Sequence, residues 1–297
     1  MNQSEPSWGG YDRSYTLPND EVHVWQTNLN IPPSDFPQLR QVLSPDERAR
    51  ADRFHFEVDR RRSIIGRGYL RLLLGQILDL PANDLQFEYD EFGKPGLILG
   101  QGRPLDFNVS HSGELILIAI TAGRAVGVDV ERIRTDLDPV SIAMRFFSAS
   151  EREILASLPR PARYRAFFAC WTRKEAYLKA KGVGLSLPLD QFDVSFLPDE
   201  EPQLRATRPD PAEARNWRLL ALDLPSDYAG ALAVAGSAWK LKRWEWDPGL
   251  VLGSGGEKGT YPKIKDFFPD ASRKTRLRRA RFFVCGLTDT ALGEYRR

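Results

Sequence analysis

The stretch FFACWTRKEAYLKAK, Phe167–Lys181, which Gly182 follows directly, is the part of the sequence that decides the fold. Large apolar residues recur along it without Gly or Pro, and lysines fill its last turn, a pattern that predicts an α-helix. Helical spacing places Trp171 and Leu178 on one face with three charged residues. These are Lys174, Glu175 and Lys179. The face therefore carries either a surface ion pair beside ordinary core packing or part of a functional site.

A second stretch, AVGVDVER at Ala125–Arg132, alternates valines with other residues and predicts a β-strand. Asp129 and Glu131 then project from the same side, about 7 Å apart along the strand. Such a pair either faces water or shares a cation. Mg²⁺ commonly takes one or two carboxylates and completes its shell with phosphate and water oxygens. Glu175 on the predicted helix could supply a third carboxylate.

Four motifs occur in a fixed order along the chain. They are FNVSHSG at Phe107–Gly113, VGVDVE at Val126–Glu131, FFS at Phe146–Ser148 and WTRKEAYLKAKGVGLSLPL at Trp171–Leu189. Together they resemble the Sfp-type 4'-phosphopantetheinyl transferases. FGKPG at Phe92–Gly96 and SPDERARADRF at Ser44–Phe54 are similar to further segments of that family. The resemblance covers roughly residues 44–197 and is weaker up to about residue 235.

The resemblance implies an α+β protein built from two similar α/β halves packed side by side, with the ligand in the cleft between them. We expect a flexible N-terminus at residues 1–13. The half at residues 14–124 would bind the adenine and 3'-phosphate of coenzyme A, and the half at residues 125–235 would carry Mg²⁺ and the catalytic groups. Residues 236–297 hold 14 Lys or Arg against 7 Asp or Glu and predict a basic, mostly disordered or loosely docked extension.

The implied reaction is transfer of the 4'-phosphopantetheine arm of coenzyme A to a serine of an apo acyl, peptidyl or aryl carrier protein, which releases adenosine 3',5'-bisphosphate. Two alternatives stay open from the residues. One is another Mg²⁺-dependent enzyme that cleaves a nucleotide pyrophosphate. The other is a non-catalytic module that holds a carrier protein or uses its basic extension on nucleic acid, although we do not expect a nucleic-acid partner.

The resemblance also implies roles for individual residues. The expected Mg²⁺ ligands are Asp129, Glu131 and Glu175. The expected catalytic residues are Glu175 as general base, with Lys179 and Lys174 neutralising negative charge. The expected coenzyme A ligands are Arg50, Ser63, Lys94, Pro95, Ser110, His111 and Lys179. The chain departs from the family at Glu47, where some members carry Lys, and an acid there cannot bind phosphate.

Two capping boxes predict helix starts that need no chemistry. Ser44 and Glu47 form the first, and Ser148 and Glu151 form the second. Glu151 also matches an acidic position near the active site of the resembled family, so a cap and a catalytic role both stay open. Other predicted strands lie at residues 21–27, 87–89, 106–110, 115–121, 192–196, 217–224 and 229–235, and other helices lie near 58–78 and 139–147.

The composition excludes several classes of protein. Two cysteines and three histidines rule out a disulfide framework and argue against a cysteine or histidine metal centre. The G-x-S-x-G pattern of a serine hydrolase is absent from the sequence around Ser110 and His111. No apolar run reaches the ~18 residues of a membrane helix, and the polar start gives no signal peptide. We therefore expect a monomer in the cytoplasm without a membrane partner.

Overall fold

A computed structural model of the 297-residue chain describes residues 9–10, 17–89, 94–98, 105–247 and 252. Its strands are β1 Gly9–Gly10, β2 Glu21–Asn28, β3 Phe87–Tyr89, β4 Pro95–Leu97, β5 Leu105–Ser112, β6 Leu115–Ala122, β7 Val126–Arg132, β8 Phe192–Val194, β9 Leu204–Thr207, β10 Trp217–Ala221, β11 Tyr228–Ala235 and β12 Lys240–Glu245. Its α-helices are α1 Phe36–Gln41, α2 Pro45–Ala51, α3 Glu57–Leu78, α4 Pro139–Phe146, α5 Ala149–Ser157 and α6 Arg160–Lys181. The mixture of helices and sheets confirms the predicted α+β class.

The first half is a five-stranded sheet in the order β1-β12-β2-β6-β5. Strand β6 is buried along its whole length, which matches its continuous apolar sequence LILIAITA. The long helix α3 packs its apolar residues, among them Ile64, Tyr69 and Leu73, into the same core as Trp25. Helix α2 starts with the predicted capping box of Ser44 and Glu47.

The second half is a three-stranded antiparallel sheet in the order β10-β11-β7, which helix α6 covers. Its core is aromatic: Phe147 stacks on Phe167, and Tyr177 meets Phe192 and Trp217 edge to face. Gly182 ends α6 in the left-handed conformation, as the sequence pattern predicts. Among the described residues, no helix has the length and apolar content needed to cross a bilayer.

Side chains of β5 join the two halves. Asn108, Ser110 and Ser112 all point from one side of β5 towards β7, where each accepts a hydrogen bond from a backbone N–H. The donors are Val128, Val130 and Arg132, at 2.9, 3.2 and 3.0 Å. One edge of β7 pairs with β11, and these three side chains satisfy the N–H groups along the other edge. The alternating polar residues of FNVSHSG thus fix the alignment of the halves.

Gly127 allows α6 to lie directly on β7. A Cβ atom at this position would stand 2.1 Å from the carbonyl oxygen of Ala176 and 2.3 Å from the backbone nitrogen of Ala180. Real Cβ contacts are never so short, so only glycine permits this approach. The close packing places the charged face of α6 against Asp129 in β7.

Three segments differ from the prediction. The tail was expected to be loosely docked from Gly236 onward, but Lys240–Glu245 form β12, which pairs in parallel with β2, so that expectation is wrong for these residues. Strand β9 lies between the predicted strands at residues 192–196 and 217–224, where no strand was predicted. Gly9–Gly10 pair with β12, although the first 13 residues were predicted to be flexible. The other N-terminal residues of that prediction, and those after 247 apart from Leu252, lie outside the described residues.

Candidate active site

Asp129 and Lys179 form a buried ion pair where the two halves meet. The Nζ of Lys179 stands 2.6 Å from Oδ1 of Asp129 and also donates to Oγ of Ser110 at 3.2 Å. Ser110 itself donates to the same carboxylate oxygen at 2.9 Å. The predicted strand, helix and serine motif therefore meet at one carboxylate. Both charged side chains are almost wholly inaccessible to water, so the pair interacts strongly.

Glu175, one helical turn before Lys179, lies next to this pair. Burial and, to a smaller extent, the negative charge of Asp129 raise the pKa of Glu175 to about 8, while Lys179 opposes the rise. Burial also raises the pKa of Asp129, against the lowering effect of Lys179. Neither Oε1 of Glu175 nor Oδ2 of Asp129 has a hydrogen-bond partner, although both atoms are buried. One lysine does not satisfy the two acids.

Glu131 is the third predicted ligand, and it lies on the same side of β7 as Asp129. Its Oε2 accepts a hydrogen bond from Oγ of Ser112 at 2.8 Å. Across the part of the chain that the structure describes, no three His, Cys, Asp or Glu side chains are gathered closely enough to form a ready metal cluster. The structure brings Asp129 and Glu175 together and leaves Glu131 two residues along the strand, bonded to Ser112.

His111 and Arg62 lie beside the same cluster. Burial and, to a smaller extent, the positive charges of Lys179 and Arg62 lower the pKa of His111 to about 4. His111 is therefore neutral at pH 7. The Nη2 of Arg62 donates to the carbonyl oxygen of Gly113 at 3.4 Å, which ties α3 to the turn after β5. The positive charges of Lys179 and Arg62, beside neutral His111, therefore form a basic flank on this side of the cluster.

Lys94, which directly precedes β4, connects this strand to helix α6. Its Nζ is buried and donates to the carbonyl oxygen of Lys179 at 3.0 Å, near the C-terminal end of α6 where a cation is favoured. Burial raises the pKa of nearby Asp106 to about 6, and Lys94 opposes that rise. Pro95 begins β4 and is buried. Arg50 is exposed on α2, and Ser63 is half-buried on α3.

Lys174, predicted to be catalytic, is not brought to this cluster. Its Nζ pairs with Oε2 of Glu151 at 2.7 Å and donates to the carbonyl oxygens of Leu189 and Phe192 at 2.8 and 2.6 Å. These contacts occupy its three protons. Glu151 caps its own helix and also accepts from the backbone N–H of Val194 at 2.9 Å. The geometry gives both residues a structural role, joining α5, α6 and β8.

Glu47 has an equally specific structural role. Its carboxylate pairs with Nε of Arg71 at 2.6 Å and with Nε of Arg67 at 2.9 Å, while it also completes the cap of α2. Arg71 is buried and donates to the carbonyl oxygens of Ala82 and Leu85. The acid that replaces a family lysine thus anchors two arginines of α3.

Three residues at or near the site were not singled out from the sequence: Asn108 and Ser112, which bond to β7, and Tyr89, whose hydroxyl group accepts a hydrogen bond from Arg67. The first two had a usable signal, because polar residues at every second position of an otherwise apolar strand indicate a shared face. Nothing in the sequence pointed to Tyr89.

A buried lysine beside two acids with unbonded oxygens, next to a basic flank, is suited to binding an anionic phosphoryl group. Comparisons with known proteins give the family. The model of the 4'-phosphopantetheinyl transferase superfamily matches residues 125–233, and that of "4'-phosphopantetheinyl transferase, N-terminal" matches residues 27–123. The chain belongs to the 4'-phosphopantetheinyl transferases, which transfer phosphopantetheine from coenzyme A to carrier proteins.

Relatives of known identity agree with this assignment. The 4'-phosphopantetheinyl transferase HetI of Nostoc sp. (strain PCC 7120) is 40% identical over 243 residues, 81% of this chain and 98% of HetI. The 4'-phosphopantetheinyl transferase Sfp of Bacillus subtilis (strain 168) is 33% identical over 217 residues, 72% of this chain and 82% of Sfp. A putative 4'-phosphopantetheinyl transferase of Synechocystis sp. is 35% identical over 71% of this chain and 82% of its own length.

Proposed function

We propose that this chain uses the cluster of Asp129, Glu175 and Lys179 to move the 4'-phosphopantetheine arm from coenzyme A to a serine hydroxyl of an apo acyl, peptidyl or aryl carrier protein. The observation that carries this proposal is the pair of buried carboxylate oxygens without hydrogen-bond partners, beside a buried lysine at the junction of the halves. Displacement at a diphosphate requires fixed positive charge around the phosphoryl oxygens, and this cluster is built to hold such charge.

The donor set fits Mg²⁺. Two unbonded carboxylate oxygens, Oδ2 of Asp129 and Oε1 of Glu175, are hard ligands, and Mg²⁺ usually takes one or two carboxylates together with phosphate and water oxygens. Asp129 and Glu175 would hold the ion, and Glu131 would join them or orient a water molecule from its position beside Ser112. When bound, the ion would polarise the diphosphate as a Lewis acid.

Lys179 supplies the fixed cation of the protein itself. Its Nζ lies between Asp129 and Ser110, and burial keeps its charge effective over short distances. It neutralises the negative charge that grows on the phosphoryl oxygens. Lys174 is bound to Glu151 and two carbonyl groups, so its contribution is to hold α6 in position.

Glu175 is the candidate general base for the incoming serine. Its pKa is raised to about 8 in the ligand-free protein, and a Mg²⁺ ion beside it would oppose that rise and keep Glu175 ionised, so that a carboxylate oxygen can accept the proton of a hydroxyl group. The nucleophile belongs to the carrier protein, which agrees with the absence of an activated serine or cysteine among the described residues; Cys170 is buried and burial raises its pKa.

The coenzyme A substrate would lie against the basic flank of the cluster. Ser110 and neutral His111 are hydrogen-bonding groups for its diphosphate, and Lys94, Pro95, Arg50 and Ser63 serve its nucleotide end. The enzyme would act in the cytoplasm as a monomer. This division of labour is supported by the contact of Lys94 with the backbone of Lys179, because that contact joins two of the expected coenzyme A ligands.

Intact-protein mass spectrometry tests the proposal. After incubation with coenzyme A and Mg²⁺, an apo carrier protein should gain about 340 Da, the mass of the whole arm moved by phosphoryl transfer. A carrier in which the acceptor serine is replaced by alanine is the control and should gain nothing. Coenzyme A cleaved without a carrier would instead indicate a hydrolase, and an unchanged carrier with intact coenzyme A would indicate a binding module.

A further inference from the structure

Tyr89 lies where three features of the nucleotide side meet. It ends β3 and stands directly opposite Pro95 in the β3–β4 ladder, next to Lys94. Lys94 bonds to the backbone of α6 directly before β4 begins. Tyr89, in the neighbouring strand β3, therefore lies one strand away from this contact with α6. The ring is half-buried, so one part of it packs against the protein and another remains accessible.

Two guanidinium groups contact this ring. The guanidinium carbon of Arg50 lies 5.7 Å from the ring centroid, and that of Arg67 lies 5.5 Å from it. Arg67 also donates a hydrogen bond to the Tyr89 hydroxyl group. Cations at this distance are attracted by the negative face of an aromatic ring. The ring therefore gathers positive charge from two helices, α2 and α3.

Glu47 fixes one of these two arginines and leaves the other available. Its carboxylate pairs with Nε of Arg67 and with Nε of Arg71. Arg67 is nearly inaccessible, whereas Arg50 is exposed. Arg50 thus approaches the ring from the solvent side with its guanidinium group open to an anion. This part of α2 and α3 carries a net positive charge, because three arginines, Arg50, Arg67 and Arg71, outnumber the two carboxylates of Glu47 and Asp46.

We propose that Tyr89 is a positioning residue that holds Arg50 for the 3'-phosphate of coenzyme A, and that Glu47 and Arg67 fix the Tyr89 ring for this purpose. The inference rests on the proposed function, because that function supplies a nucleoside 3'-phosphate as ligand. An arginine on a flexible stem loses rotamer entropy when it binds phosphate, and a ring that already restrains it reduces that cost. Arg50 can then offer its planar fork of donors to the phosphate oxygens.

The test measures binding of two nucleotides to the full-length chain by calorimetry. Adenosine 3',5'-bisphosphate carries the 3'-phosphate, and adenosine 5'-monophosphate lacks it. Tyr89→Leu removes the ring, and we expect it to weaken binding of the bisphosphate about three- to tenfold, the range of a partly shielded cation–π contact. Binding of the monophosphate should change less than twofold. In the transfer reaction, KM for coenzyme A should rise with kcat unchanged.

Matched variants separate positioning from general damage. Tyr89→Phe keeps the ring and loses only the hydroxyl group, so it should bind the bisphosphate within twofold of the wild type. Arg50→Ala should lose the preference for the bisphosphate, and adding Tyr89→Leu to it should cause no further loss, because the two residues act through one contact. Arg53→Ala removes an equal charge three residues later and should have less than a twofold effect.

Three outcomes would overturn the inference. Tyr89→Leu could weaken both nucleotides equally, it could leave both unchanged, or its effect could persist in full in the Arg50→Ala background. If the wild type transfers phosphopantetheine while any of these occurs, the inference fails and the proposed function stands. If the wild type neither binds the bisphosphate nor modifies a carrier, both fail.

Discussion

The chemistry that we propose depends on one carboxylate, Asp129, whose two oxygens have different surroundings. Oδ1 accepts from Lys179 and Ser110, whereas Oδ2 is buried without a hydrogen-bond partner. Burial of an unsatisfied carboxylate oxygen is costly unless a ligand completes its coordination. Because of this asymmetry, Oδ1 can stay bonded to Lys179 while Oδ2 is available to the cation that we propose.

Replacing Lys179 with methionine tests the role of its charge. Methionine keeps the apolar length but removes the fixed cation, and we expect the rate of holo-carrier formation to fall about 10²- to 10³-fold, as when one preorganised charge-stabilising group is lost. Lys181→Met is the matched control two residues later. Lys181 pairs with Glu213 outside the cluster, so its rate should stay within twofold. A rate for Lys179→Met within threefold of the wild type would refute the assignment.

His111 makes a prediction about stability and pH. Its pKa in the folded protein is lowered to about 4 from 6.5, so the unfolded chain binds more protons between these values. The stability that depends on neutral His111 should therefore be complete above pH 6.5. The free energy of unfolding should decrease as the pH falls from 6.5 towards 4. In urea titrations at pH 7, 5.5 and 4.5, His111→Gln should lose less stability on acidification than the wild type does. Equal losses would mean that His111 does not titrate in this way.

At the level of single residues, the sequence predicted which side chains meet but not all of their partners. Helical spacing placed Glu175 and Lys179 on one face, and period-2 spacing placed Asp129 on one side of its strand, because both patterns are local. That the strand and the helix meet was implied by the family resemblance. Lys174 shares the helix face of Lys179 in sequence, yet it is bound to Glu151 and to the carbonyl groups around β8. That contact depends on how three separate elements pack, which local spacing does not encode.

The elements that matter most are β5, β7 and α6. Polar side chains of β5 satisfy the free edge of β7, and Gly127 lets α6 approach the other side of the same strand. Strand β7 is thus held from three directions at the point where it carries Asp129. Catalytic groups on rigid elements need little reorganisation during the reaction.

Gly127→Ala should break the approach of α6. The new Cβ would collide with backbone atoms of Ala176 and Ala180, which cannot move independently of their helix. We expect a loss of at least about 3 kcal/mol in the free energy of unfolding, at the upper end of overpacking effects. Gly66→Ala on α3 is the control, since its Cβ would meet Ile116 at an ordinary 3.5 Å and should stabilise the helix by about 1 kcal/mol. Urea denaturation measures both, and similar midpoints would contradict this account.

At the scale of the whole molecule, alternating and helical patterns in the sequence predict most of the strands and helices, whereas their arrangement in two halves was implied by the family resemblance. Strand β12 was missed because its own sequence, KLKRWE, is highly charged and because it pairs with β2, which lies more than 200 residues earlier. Its tryptophans complete the first core: Trp244 stacks on Trp25, and Trp246 meets Tyr69 edge to face. Pairings at such sequence separation leave little local signal.

Truncation tests this structural role of β12. A chain that ends at Trp239 loses the strand together with Trp244 and Trp246, and we expect its free energy of unfolding to fall by at least about 3 kcal/mol, the cost of removing one large buried aromatic side chain. A chain that ends at residue 253 keeps β12 and Leu252, so it should unfold near the full-length midpoint. Equal stability of the two truncated chains would show that β12 is dispensable.

The most direct test of the central claim is the Mg²⁺ dependence of holo-carrier formation, followed by mass spectrometry for the wild type, Asp129→Asn and the surface control Asp193→Asn. We predict no product in the presence of a chelator and saturable activation by Mg²⁺ for the wild type and the control. Asp129→Asn should form product at least about a hundredfold more slowly at any Mg²⁺ concentration. Full activity of Asp129→Asn, or an undiminished rate in the chelator, would contradict the account.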